Sequence, residues 1–227
     1  TMRFRRIAWH GDDATVTADD VVVDWNPGAL WSKRLSIRGL GARHVDIALR
    51  PSTEGPGEPP ANLELPLAVD IERLAVAELD WKAGSRAGQV SGLEFGYSGD
   101  AQAHRIRELA LVSDFGSLAG NLEVGTHAPI RIAGSATITG DGMLAGAQGS
   151  LQLSGTAARI GIAGRGTLRE AALSLQAIAT PFAQAPFATA IAELTGVDAA
   201  SFEQARKAVE RAALEELAAH DRELLQE

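Results

Sequence analysis

The sequence predicts a mainly β protein: antiparallel meandering strands arranged as a sandwich, a barrel or one long curled sheet, with a short helical turn near residues 27–32 and a C-terminal α-helix. Three observations predict it. Apolar residues alternate with polar ones in run after run, and a pleated strand sends successive side chains to opposite faces. About a dozen such runs follow at short intervals with no helical period between them, which excludes a βαβ organisation. The runs are also light: Gly, Ala, Ser and Thr dominate residues 116–166. A compact sandwich needs more branched and aromatic bulk on its inner faces, and a thin curved sheet needs less.

The elements follow in order. Residues 3–9 and 14–25 make a hairpin with His10, Gly11, Asp12 and Asp13 at its tip. Val21, Val23 and Trp25 alternate with Val22 and Asp24. Two further strands carry Leu35 and Ile37, then Val45, Ile47 and Leu49, on one face. Between the first and second of these, Asn26 can cap a helical turn that Pro27 opens without losing an N–H donor. Leu30 and Trp31 are expected to fold that turn onto the apolar face. Residues 51–60 (PSTEGPGEPP) read as a solvated excursion, because nothing there can be buried.

Leu63, Leu65, Leu67, Val69 and Ile71 form the cleanest period-2 run. Pro66 within it removes a ladder donor, which places this strand at an edge or a bulge. Strands are expected next at 73–82, 90–98, 104–112, 116–124, 129–138, 143–153, 156–164 and 168–178, punctuated by Gly and Asp-Gly turns. Residues 181–194 suit strand or helix. From Asp198 the period becomes helical: Ser201 and Gln204 form a capping box, and Phe202, Val209, Leu217 and Leu224 make a modest stripe. A helix over 199–225 would be roughly 40 Å long. The expected division is therefore a sheet over 1–195 and a helix within 196–227 that caps it.

Composition excludes several functions. The 227 residues carry a formal charge of −8 and contain no cysteine, with an isoelectric point near 5.2. A net acidic chain is a poor partner for nucleic acid, whose phosphates draw on clustered Lys and Arg. Disulfides, thiolate catalysis and Cys-ligated zinc are excluded. No apolar run approaches the roughly 18 residues of a membrane span, and no signal peptide is visible. The chain opens in strand-like sequence at Thr1, Met2, Arg3 and Phe4, as expected of a piece of something longer.

No nucleophile elbow, phosphate loop, dinucleotide fingerprint or zinc-ligand spacing occurs. Gly161, Gly164 and Gly166 cluster in strand sequence. His10 with Asp12 and Asp13 could hold a metal, but the spacing is that of a solvated turn. His44 alternates with Asp46 on a polar strand face, and His104, His127 and His220 each sit alone in the sequence. Arg3, Arg5 and Arg6 suit a solvated strand face better than a lipid headgroup site. The expectation is no catalytic residue, no metal and no cofactor. The apolar stripe has two readings, a sealed core or a trough open on one side.

Residues 7–47 resemble the N-terminal part of the TamB proteins, within the AsmA-like group of bacterial envelope proteins. The resemblance lies in the strand ending at Trp9, in Thr15-Val16-Thr17, in Val23-Asp24-Trp25-Asn26-Pro27 followed by Leu30, and in Arg34-Leu35-Ser36-Ile37. It extends through Leu65-Pro66-Leu67 with Val69, Pro129, Gly166-Thr167-Leu168, and Pro181-Phe182-Ala183 followed by Pro186, spanning about residues 3–195. Order and spacing carry it, since no single motif is specific, and the charged C-terminal helix departs from the family pattern.

The resemblance implies a periplasmic protein, anchored to the inner membrane by a helix absent here. It implies a long antiparallel β-sheet curled into a taco-like trough with an apolar interior, a non-enzymatic trough that shields phospholipid acyl chains in transit between inner and outer membranes, with a BamA-type barrel, TamA, as outer-membrane partner. The lining would then be Leu63, Leu65, Leu67, Val69, Ile71, Leu74, Val76, Ile130, Ile132, Leu151, Leu153, Ile160, Ile162, Leu173 and Leu175. Exposing an acyl chain of about 15 methylenes costs roughly 12 kcal/mol, so such a lining must be continuous. The alternative function is assembly of outer-membrane proteins by pairing a sheet edge with an unfolded strand. A carbohydrate-active enzyme would need converging carboxylates, and none is identifiable.

Overall fold

A computed structural model describes residues 1–11, 14–49, 58–84, 86–113, 115–169, 171–183 and 187–195. The expected helix at 199–225 and its capping role lie outside the described residues, as do Asp12, Asp13 and His220. The chain is one sheet of twelve strands in sequence order: β1 Met2–His10, β2 Ala14–Asn26, β3 Arg34–Leu49, β4 Ala68–Ala83, β5 Arg86–Gly99, β6 Ala103–Ser113, β7 Gly116–Gly125, β8 Arg131–Gly140, β9 Ala147–Thr156, β10 Arg159–Leu168, β11 Ala171–Ala179 and β12 Phe187–Thr195. The sheet is open. An open sheet of this many strands normally coils.

Three features depart from the sequence reading. First, the sheet is mixed and not wholly antiparallel: β3 and β4 run parallel, with Arg34 opposite Ala68 and Leu49 opposite Ala83. Every other neighbouring pair is antiparallel. The 18 residues between these strands can reach about 60 Å, enough to return along the roughly 50 Å of β3. Second, Leu63, Leu65 and Leu67 precede β4 and belong to no strand. Pro66 cannot donate to a ladder, and β4 starts only at Ala68. Third, the runs at 35–37 and 45–49 are one strand, and Val69 and Ile71 share one with Leu74 and Val76.

The merging has a physical cause. Between Ile71 and Leu74, and again between Ile106 and Leu109, the register shifts by a bulge. Each bulge inserts an extra residue and restores the apolar series to its original face. Asp20, Gly92 and Glu108 take positive φ angles of 53°, 63° and 53° at such irregularities. Read as strict alternation, these three-residue steps look like strand ends.

The short helix is a 3-10 helix, Pro27–Ser32, with Asn26 Oδ1 accepting from the Gly28 amide at 3.1 Å. Its expected fold onto the apolar face does not occur: Trp31 is 94% exposed and Leu30 is also exposed. Lys33, left-handed at φ 52°, ends the helix after six residues. The chain then re-enters the sheet directly, without laying the ring on it. A second 3-10 helix, Gly142–Leu144, replaces the expected start of the 143–153 strand. Residues 181–194, ambiguous in sequence, contain β12.

Candidate functional site: the apolar face and its surroundings

The register places one apolar face across the whole sheet. Phe4 lies opposite Val21, and Met2 opposite Val23. Val23 lies opposite Leu40, Leu40 opposite Leu74, and Leu74 opposite Phe95. Tyr97 continues to Ile106, Ile106 to Leu122, and Val124 to Ile132. Leu153 lies opposite Ile162, and Gly164 lies between Leu151 and Leu175. Of the residues expected to line a groove, Val69, Ile71, Leu74, Val76, Ile132, Leu151, Leu153, Ile160, Ile162, Leu173 and Leu175 share this face. Ile130 lies just before β8 and is buried. Leu63, Leu65 and Leu67 reach the region from outside the sheet.

Among the described residues, substantial packing between elements occurs only between strands adjacent in the sheet and between Pro27–Ser32 and β3. With no second layer over it, an apolar face would ordinarily be bare. Instead it is the more enclosed one. Along β7, Leu118, Leu122 and Val124 are half-buried while Ser117, Ala119, Asn121 and Glu123 are exposed. Along β9, Leu151 and Leu153 are half-buried while Gln152 and Ser154 are exposed. A sheet coiled toward its apolar side has this asymmetry, because neighbouring side chains crowd on the inside of the bend and spread on the outside.

The enclosure includes a nearly wholly apolar hollow of ≈ 290 Å³ lined by Ile138, Leu144, Leu151, Leu168, Leu173 and Leu175, among others. Gly164 shapes its floor. A Cβ there would come within 2.7 Å of Leu151 Cδ2 and 3.3 Å of Leu175 Cβ, so both leucines lean into the space a side chain would fill.

The opposite face is charged and paired across strands. Arg6 meets Asp19 at 2.7 Å, Arg43 meets Asp20 at 2.7 Å, Arg73 meets Glu94 at 2.6 Å, and Arg105 meets Glu123 at 3.0 Å. Such solvated pairs contribute about 0–1 kcal/mol each, so they orient the face toward water more than they hold it together. Arg6 is thereby engaged, while Arg3 and Arg5 stay exposed on β1. His10, from the candidate metal turn, ends β1 and is exposed.

One cluster on the polar face was only half visible in the sequence. His44 Nε2 lies 3.1 Å from Asp46 and 3.6 Å from Asp80, and its Nδ1 lies 3.5 Å from Glu78. His44 and Asp46 are neighbours in β3. Glu78 and Asp80 arrive from β4 because the parallel register sets Glu78 opposite His44 and Asp80 opposite Asp46. His44, Asp46 and Asp80 each offer a ligand atom within 4.8 Å of the others. A proton on the imidazole serves the same charge balance. Partial burial lowers the His44 pKa, but Asp46, then Asp80 and Glu78, outweigh it and raise the pKa above 6.5.

A raised folded-state pKa contributes stability that is fully present below the unfolded value and is lost as pH rises through the folded one. The urea midpoint should therefore fall as pH rises past the ordinary histidine value of about 6.5, and fall less in His44→Gln. A ring titration of His44 by NMR with its midpoint at or below that of free imidazole would contradict this.

A second group resembles a hydrolytic triad and is not one. Thr126 Oγ1 lies 3.0 Å from His127 Nδ1, and His127 Nε2 lies 3.0 Å from Glu64. The Thr126 hydroxyl donates to the Ala101 carbonyl at 2.7 Å, so it accepts from Nδ1 and gives that nitrogen no proton. At 1% exposure it also cannot meet a substrate. The contacts tie a turn together.

His104 is equally structural. Its Nε2–H donates to the Leu63 carbonyl at 2.7 Å, leaving Nδ1 to accept from the Tyr97 hydroxyl at 2.7 Å. The two rings stack 6.1 Å apart. Burial raises the Tyr97 pKa and keeps the phenol a donor. The Leu63 partner is not legible near His104 in the sequence, since that contact spans 41 residues.

No helix among the described residues is long and apolar enough to cross a membrane. No family model, curated protein or solved structure matches the chain.

Proposed function

We propose that the apolar face is a trough that shields phospholipid acyl chains, as a non-enzymatic segment of a periplasmic bridge between inner and outer membranes. The observation that carries the reading is the unbroken apolar register from β1 to β12, over which the described residues place no second layer of sheet or helix. A sealed core would need such a layer. An acyl chain needs only an apolar lining without tight specificity, and side chains of modest size leave it room. The resemblance to TamB proteins supports the same reading, with an inner-membrane anchor and a BamA-type barrel partner belonging to the full-length protein. The test is native mass spectrometry of gently purified protein, together with a photo-crosslinking side chain at Ile132. Phospholipid should co-purify and be captured at Ile132, and a protein free of lipid with no capture would end the proposal.

One observation favours the assembly reading as a second possibility. β1 is an edge of the sheet among the described residues, and its Met2, Phe4, Ile7 and Trp9 are exposed. An edge of this kind can accept an added strand through backbone hydrogen bonds. Pro66, which would have blunted an edge, lies outside the strands.

A further inference from the structure

We propose that residues 61–67 form a stop across one end of the trough, so that an acyl chain enters from the opposite end and seats with its terminus toward the stop. The proposal rests on the trough reading above.

The segment is fastened at both ends and in the middle. The Ala128 amide donates to the Ala61 carbonyl at 3.2 Å, and Asn62 forms a bridge with His127. The Leu63 amide donates to the Thr126 carbonyl at 2.8 Å, and the Ala68 amide donates to the Lys33 carbonyl at 3.2 Å. From the sheet, His104 holds the Leu63 carbonyl while Tyr97 holds His104. These anchors sit where β5 and β7 end and β4, β6 and β8 begin.

The segment lies on the apolar side. Gly99 is opposite both Val69 and His104, and His104 is opposite Val124, so all four share the apolar face. A Cβ on Gly99 would lie 2.5 Å from Tyr97 Oη and 2.8 Å from Leu65 Cδ1. Leu65 therefore rests on the bare backbone of Gly99, above the sheet. Leu63 and Leu65 are half-buried there. An acyl chain extending toward this end along β5–β7 meets a crossing backbone segment whose Ala61 and Leu63 carbonyls and Leu63 amide are already paired.

The far end differs. The ≈ 290 Å³ hollow among Ile138, Leu144, Leu168 and Leu173 lies where β8 and β10 end and β9 and β11 begin, and it opens to solvent. Among the described residues, one end is thus strapped and the other is open. The Tyr97–His104–Leu63 relay is the fastening that sets which end a chain can pass.

The experiment uses the full chain with a photo-crosslinking residue at Leu118, toward the open end of β7, or at Val124, at the strapped end. The probe is vesicles of phosphatidylethanolamine and phosphatidylglycerol with labelled acyl chains. Capture at Leu118 should exceed that at Val124 by about tenfold, the factor that losing contact with two methylenes carries. Tyr97→Phe and Gly99→Val should each speed hydrogen exchange of the Leu63 amide and bring Val124 capture close to that at Leu118. Equal capture at both positions in the unsubstituted protein overturns the stop and leaves the trough standing. A freed Leu63 amide with Val124 still silent does the same, as does a Leu63 amide that stays protected in both variants. Absence of capture at both positions overturns the trough and the stop with it.

Discussion

Arginine at Leu153 or Ile162 is expected to cut acyl-chain capture at least about tenfold while leaving the sheet folded. The two residues lie opposite each other on β9 and β10, half-buried on the apolar face. A guanidinium there brings a hydration shell into the path of the chain and displaces several methylenes, each worth about 0.8 kcal/mol of shielding. In a closed core the same change would unfold the protein, because the charge would have no route to water. In a single-layer sheet the long side chain can turn its head outward and leave the ladder intact. The comparison with Gln152→Arg matters most. That residue sits one position away, exposed on the polar face, and its substitution should leave both capture and circular dichroism unchanged. Arginine variants that bind lipid as the unsubstituted protein does would sink the trough. Variants that unfold outright would favour a sealed core.

The fold class is legible because period-2 alternation is local: Leu151 with Leu153, or Ile160 with Ile162, announces a strand and a face from three residues. The parallel β3–β4 pair is not legible, because a crossover is specified only by what its connection can reach. Residues 51–60 show that the connection is polar, not where it goes. The bulge at Ile71 and Leu74 is illegible for a related reason, since a step of three looks like a break until a neighbouring strand holds its phase. Leu63, Leu65 and Leu67 misled because Pro66 permits alternation in sequence while forbidding the ladder.

The candidate site divides the same way. Face membership of Val69, Ile132 or Leu175 follows from pattern once the register is known. Sequence could pair His44 with Asp46 but not with Glu78 or Asp80, and the contacts of His104 with Leu63 and of His127 with Glu64 join residues tens of positions apart. Glu78 and Asp80 give a weak signal, two carboxylates at a spacing of two in a strand. That spacing puts both on one face but does not identify the partner strand.

Ile130→Ala is expected to cost about 2–5 kcal/mol of stability. A sheet without a second layer has little core: among the described residues, the fully buried apolar side chains are small apart from Val21, Val76 and Ile130. Four buried residues, Ala103, Thr126, Ile130 and Ala157, gather at the end that residues 61–67 cross. There the Ala157 amide donates to the Ile130 carbonyl at 2.8 Å, and Thr126 is joined to Ala101, His127, Gln102 and Leu63. Deleting three carbons from Ile130, 3% exposed, leaves a cavity that this knot of turns cannot close, because its backbone is fixed by hydrogen bonds on several sides. Ile191→Ala removes the same atoms from a residue 54% exposed on β12, and should cost no more than about 0.5 kcal/mol. Urea unfolding followed by tryptophan fluorescence measures both. Equal midpoint shifts would mean that stability is spread evenly along the sheet. A much larger shift for Ile130 would mean that the strapped end is its anchor, from which the lighter strands β9–β12 extend with enough local freedom to admit a chain.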